Sequence, residues 1–184
     1  MHCGGFNLPP VNLPNVITII RLFLVPVFVY FAFKGTDTGR LIALVTFVVA
    51  SLSDIVDGYI ARKRGLVTRL GEFLDPLADK ILVLAALVFL IENRTFPVIV
   101  ALVIFFREIA VQILRNRIVA RGGTLPASPA GKIKTVVQIV MVSWWLAFTP
   151  VGVGHWVLLA GALAATLWSG AEYFLRFNRL QEVS

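Results

Sequence analysis

The sequence predicts an all-α integral membrane protein, a bundle of six transmembrane helices. Three observations predict it. Hydrophobic residues make up 58% of the 184-residue chain and charged residues 15%, against about 45–50% and about 25% in an ordinary globular domain. The apolar residues fall into six runs, several long enough to cross a hydrocarbon core about 30 Å thick. Basic residues gather in alternate connections between the runs, the asymmetry expected of a multi-pass membrane chain.

The first run, 16–33, is interrupted only by Arg21. At about 1.5 Å per residue it reaches roughly 27 Å, enough to cross with little tilt. Lys34 to Arg40 is a polar turn with Gly35 and Gly39. The second helix, 41–62, is apolar to Leu52 and then admits Asp54, Asp57 and Arg62. A basic linker, 63–70, leads to the third run, 77–91, and Glu92 to Thr95 is a tight connection. The fourth run is 96–119. A loop with Gly122, Gly123 and Pro126 follows. Ser128 before Pro129 reads as an N-cap with proline at the first helical position, so the fifth helix is 129–148. A turn at Thr149 to Gly154 precedes the sixth, 155–177. No repeat or low-complexity segment divides the chain, and residues 1–184 read as one domain.

Orientation follows from the basic residues. Arg62, Lys63, Arg64, Arg69 and Lys80 lie in one connection, Arg115, Arg117, Arg121, Lys132 and Lys134 in another, and Arg176 and Arg179 in the tail. The alternate connections hold Lys34 and Arg40, then Arg94, then none. The rich set is therefore expected in the cytoplasm, with both termini, in a cell membrane. The net charge of +7 reads as a rim facing anionic headgroups, with no nucleic-acid partner. One cysteine, Cys3, excludes an intramolecular disulfide, and the absence of Lys or Arg from Met1 to Asn15 argues against a cleaved signal peptide. His155, in the outer turn, reads as an interface residue rather than a ligand, and the four tryptophans, at 144, 145, 156 and 168, as packing residues or interfacial anchors.

Polar chemistry concentrates at the cytoplasmic end. Asp54, Asp57, Gly58 and Ala61 share one face of the second helix, and Gly71, Asp75 and Asp79 share a face at the start of the third. Four carboxylates near a membrane interface repel one another and are costly unpaired. Hard divalent cations, Mg²⁺ or Mn²⁺, relieve that repulsion. Small residues among them leave room for a bulky ligand. The alternative is structural: small residues serve close helix packing, and a single Asp can cap a helix or pair with Arg. Four Asp at two helical spacings favour the metal reading.

The stretch from Asp54 to Asp79 reads D-x-x-D-G-x-x-A-R-x(8)-G-x(3)-D-x(3)-D. It resembles, without a departure, the signature of the CDP-alcohol phosphotransferase family. The resemblance implies a six-helix membrane bundle, often a homodimer. It implies that Asp54, Asp57 and Asp75 coordinate metal, with Asp79 helping to hold a second ion and acting as general base. Gly58, Ala61, Arg62, Thr68 and Gly71 would line the site for the CDP-linked lipid beside Asp54 and Asp75, with Arg62 near the phosphates. Two ions about 3.5–4 Å apart can bridge a pyrophosphate, stabilise the leaving CMP and orient an attacking hydroxyl. A carboxylate in reach can take the hydroxyl proton.

The acceptor alcohol is a separate question. Glu108, Gln112 and Arg115 recur at helical spacing on the fourth helix, and Arg107 and Arg115 lie toward its cytoplasmic half. The fifth helix is expected to offer free backbone N–H groups, with Gly131, Lys132 and Lys134 in its first two turns, a ready anion site. Arg107, Arg115, Lys132 and Lys134 are thus candidates for an acceptor phosphate. Alternatively the lysines snorkel to headgroups; two residues apart, they point in nearly opposite directions. N-L-P-N-x-x-T-x-x-R from Asn12 to Arg21, R-E from Arg107, L-R at Leu114 and Arg115, and G-K-x-K-T from Gly131 resemble the branch of the family that forms phosphatidylglycerophosphate. That resemblance implies CDP-diacylglycerol and glycerol 3-phosphate as substrates. Thr18 and Arg21 would then line the polar cavity, or Arg21 would pair with a carboxylate. A sister enzyme using inositol phosphate or phosphatidylglycerol is the near alternative. A divalent-cation transporter is the remote one, disfavoured because all four Asp sit at one end.

Overall fold

The computed structural model describes the backbone of residues 13–64, 69–92, 96–120, 128–148 and 152–182, and the side chains of 19–53, 80–92, 96–118, 128–148 and 152–178. The described residues form six helices and no strand: α1 (Leu13–Phe33), α2 (Asp37–Arg64), α3 (Arg69–Glu92), α4 (Val98–Ala120), α5 (Pro129–Ala147) and α6 (Val153–Glu182). α1 packs on α2 and α3, α2 on α5, and α6 on α4 and α5.

Short connections make successive helices antiparallel. Between α1 and α2, Gly35 adopts φ +70°, and Thr36 caps α2 by accepting the Gly39 N–H at 3.1 Å. A Cβ on Gly39 would lie 2.8 Å from the Phe31 carbonyl oxygen, so the turn requires glycine there. The Arg40 Nε donates to the Leu146 carbonyl at 3.1 Å, which sets the start of α2 against the end of α5. The later part of α2 therefore runs toward the start of α5.

The core is aliphatic and aromatic. Phe28 and Phe47 meet between α1 and α2 with centroids 6.0 Å apart, and Phe96 meets Trp145 edge-on at 5.3 Å. Buried Ala43, Ala50 and Ala86 let backbones approach, as expected where dispersion holds helices together. Each helix for which side chains are described also carries large apolar residues outward, among them Phe23, Leu41, Val88, Ile99, Val140 and Leu167. By length and composition alone, one helix among the described residues, Val153–Asn178, is apolar enough to cross a membrane; Ile19–Phe33 is a shorter apolar stretch.

Two helices depart most from the sequence expectation. α3 begins at Arg69 rather than 77, and α6 runs to Glu182 rather than 177. Hydropathy locates the apolar part of a helix, while backbone hydrogen bonding carries the helix on through its polar ends. His155, at the α5–α6 turn, is buried: its Nδ1 accepts the Gly152 N–H, its Nε2 bonds the Phe148 carbonyl, both at 3.1 Å, and its ring stands edge-on to Trp145. Trp145 is likewise buried, while Trp144, Trp156 and Trp168 are exposed.

Candidate functional site

A cavity of about 260 Å³ opens between α2, α3, α4 and α5, lined from the middle turns of these helices. Its apolar wall includes Phe47, Leu84, Leu87 and Ile104; its polar wall is Ser51, Lys80, Glu108, Lys134, Thr135 and Gln138. Ser51 lies one turn before Asp54 on α2, and Lys80 follows Asp79 on α3. The cavity thus borders the helical segments that carry the acidic motif. Asp54, Asp57, Gly58, Ala61 and Arg62 are within α2, and Gly71, Asp75 and Asp79 within α3, two helices that pack on each other. Their side chains, like that of Thr18 in α1, lie outside the described ones, as does Thr68 altogether. Among the described residues no group of three or more His, Cys, Asp or Glu could hold a metal ion.

The basic candidates divide into those the fold gathers and those it separates. Glu108 is the centre of the gathered set: its Oε1 accepts from Lys134 Nζ at 2.5 Å and from Arg107 Nη1 at 3.2 Å. Lys134 is 7% exposed and lines the cavity, whereas Lys132 is exposed and does not. Arg107 is also held from α6, where its Nη2 donates to Ser169 Oγ at 2.8 Å. Arg115, two turns further along α4, has a buried Nε with no hydrogen-bond partner among the described residues. Gln112 is occupied with Asn116 at 3.0 Å. Arg21 on α1 is 1% exposed.

The start of α5 corrects one expectation. Ser128 is the N-cap, with φ −76° and ψ 153°, and its Oγ accepts the Gly131 N–H at 3.0 Å. The Lys132 N–H bonds the Ser128 carbonyl, and Pro129 has no N–H. The cap itself thus takes the Gly131 N–H, one of the donors expected to be free for an anion. Gln138, which the sequence reading did not select, is buried on the cavity wall with its Nε2 unpartnered among the described residues. Its spacing one turn after Lys134 was the available signal.

Comparison with known proteins gives a consistent picture. A family model described as CDP-alcohol phosphatidyltransferase matches residues 11–168. The chain is 40% identical to a Bacillus subtilis protein named CDP-diacylglycerol–glycerol-3-phosphate 3-phosphatidyltransferase, over 89% of this chain and 93% of the relative. It is 37% identical to a probable phosphatidylglycerophosphate synthase of Mycobacterium tuberculosis, over 91% and 82%. A Haemophilus influenzae protein with the same name as the Bacillus one is 34% identical, over 88% and 91%.

Proposed function

This chain belongs to the CDP-alcohol phosphatidyltransferase family, and from that premise we propose that it transfers the phosphatidyl group of CDP-diacylglycerol to glycerol 3-phosphate, releasing CMP and forming phosphatidylglycerophosphate. The observation that carries this reading is the match over nearly the whole length to relatives named for that reaction. The family is membrane-associated and generally dependent on a divalent metal.

The donor set fits a hard cation. Asp54, Asp57, Asp75 and Asp79 supply only carboxylate oxygens, from two helices in contact, and such sets suit Mg²⁺ or Mn²⁺. Two ions held there would neutralise the pyrophosphate and the charge that develops on the departing CMP. The chain does the rest. Asp79 accepts the proton of the attacking glycerol hydroxyl. That oxygen bonds to the phosphorus carrying the diacylglycerol as the bond to CMP breaks. Arg62 steadies the phosphates, and Gly58, Ala61, Thr68 and Gly71 line the lipid-nucleotide site. Arg107, Arg115 and Lys134 take the phosphate of the acceptor; Lys132, facing outward, serves the headgroup region. Thr18 and Arg21 border the polar side. Six membrane crossings and a cytoplasmic site at a cell membrane belong to the same reading, supported by the outward apolar residues and the basic connections; the homodimer in this reading rests on the family resemblance.

The test is CMP release from CDP-diacylglycerol with each candidate alcohol. Release should require glycerol 3-phosphate and Mg²⁺ or Mn²⁺, and Ca²⁺, with longer bonds and more ligands, should inhibit. Equal turnover with inositol phosphate would reassign the acceptor. Full activity after exhaustive EDTA treatment would remove the metals.

A further inference from the structure

We infer that Ser169 and Tyr173 of α6 are positioning residues for acceptor use: they fix Arg107 and the first turn of α5 in the register that brings Arg107 and Lys134 together at Glu108. Both lie beyond residue 168, where the family match ends. The inference rests on the reading that Arg107 and Lys134 bind the acceptor phosphate.

Ser169 is fully buried, and its hydroxyl proton is committed to the Thr166 carbonyl at 3.2 Å. Its lone pairs are thereby left toward Arg107, whose Nη2 donates to it at 2.8 Å. The arginine stem runs close along α6: a Cβ on Gly170 would sit 3.4 Å from Arg107 Cγ, in van der Waals contact. One turn on, the Tyr173 ring lies 5.8 Å from the Arg107 guanidinium carbon, within cation–π range. The same phenol reaches the other helix. Its oxygen accepts the Ser128 N–H at 3.2 Å, and its ring edge is 3.4 Å from where a Gly131 Cβ would be. Tyr173 therefore touches both the arginine on α4 and the cap of α5, whose second turn carries Lys134. A guanidinium held from three sides has its remaining donor directions set before any phosphate arrives. Such preorganisation lowers the cost of binding an anion.

The experiment is steady-state kinetics with each substrate varied in turn, on Ser169→Ala, Ser169→Thr, Tyr173→Phe and Arg107→Gln in the full chain. Ser169→Ala should raise the KM for glycerol 3-phosphate by roughly tenfold, the scale of one hydrogen bond to a charged group. The KM for CDP-diacylglycerol should stay within about twofold, which also reports an intact fold. Ser169→Thr, which keeps the hydroxyl, should restore the acceptor KM, and Tyr173→Phe should shift it in the same direction as the alanine variant. If Arg107→Gln raises the acceptor KM while both α6 variants leave it unchanged, the positioning role is overturned and the acceptor site stands. If Arg107→Gln itself leaves the acceptor KM unchanged, the acceptor reading falls and the positioning role with it. A parallel rise in both KM values with a lowered unfolding temperature would reduce Ser169 and Tyr173 to packing.

Discussion

Glu108 is the acidic partner of two cations, and its side chain is 20% exposed against 8% for Lys134 and 11% for Arg107. Removing its charge leaves the two cations facing each other without an anion. Breaking a largely buried pair by deleting one partner costs on the order of 3–5 kcal/mol. Glu108→Gln should therefore lower the denaturation midpoint in detergent micelles, and Glu108→Gln with Lys134→Met should recover much of the loss. An unchanged midpoint in the single variant would mean the pair contributes nothing to the fold. Asp79 is a different test, because its proposed role is chemical. Asp79→Asn keeps shape but accepts no proton, so turnover should fall by roughly 10²–10⁴ with CDP-diacylglycerol binding retained in part. Near-normal turnover would take Asp79 out of the mechanism. The two residues differ in how visible they are in the sequence. Asp79 is marked by spacing within one motif, whereas Glu108 meets Lys134 across 26 residues, a separation no helical period reports.

At the scale of elements, the α5–α6 connection depends on His155. It bonds a donor, the Gly152 N–H, and an acceptor, the Phe148 carbonyl; both lose that partner in His155→Phe, which preserves an aromatic ring. Both groups belong to exposed residues that water can reach, so each lost bond costs about 0.5–1.5 kcal/mol, the net worth of a hydrogen bond. The variant should show a clearly lower thermal midpoint while its KM values stay near wild type, because His155 does not line the cavity. A midpoint equal to wild type would show that water replaces both bonds. The sequence locates this turn and the histidine in it but not the bonds the ring makes, since a polar ring near an interface and a polar ring capping a turn look alike in one dimension. The N-cap at Ser128 was visible, because Ser–Pro before an apolar run has a local cause. That the cap consumes the Gly131 N–H was not.

Over the whole molecule, large apolar residues face outward on every helix for which side chains are described, in keeping with a membrane-associated family. The proposed orientation can be measured by cysteine labelling in intact cells, in a Cys3→Ser background. Thr36→Cys and Gly152→Cys, in connections at one end, should react with a membrane-impermeant maleimide. Asn178→Cys, at an exposed position on α6, should react only after permeabilisation. The reverse pattern would invert the topology and place the cavity outside; reaction at all three sites in intact cells would exclude six crossings.

The sequence by itself determined the all-helical class, the six segments and the acidic motif, because these are local: hydropathy over a turn or two, caps, and residues repeating at three and four positions. Their chemistry is fixed by spacing along single helices. Tertiary structure decided what depends on how helices meet. It chose Lys134 over Lys132 for the cavity, set Glu108 between two cations, and brought Ser169 and Tyr173 of α6 against Arg107 of α4 and the cap of α5. The physical reason is that side-chain direction within a helix repeats with a known period, but the face a helix turns to its neighbour is settled by packing against all of them at once.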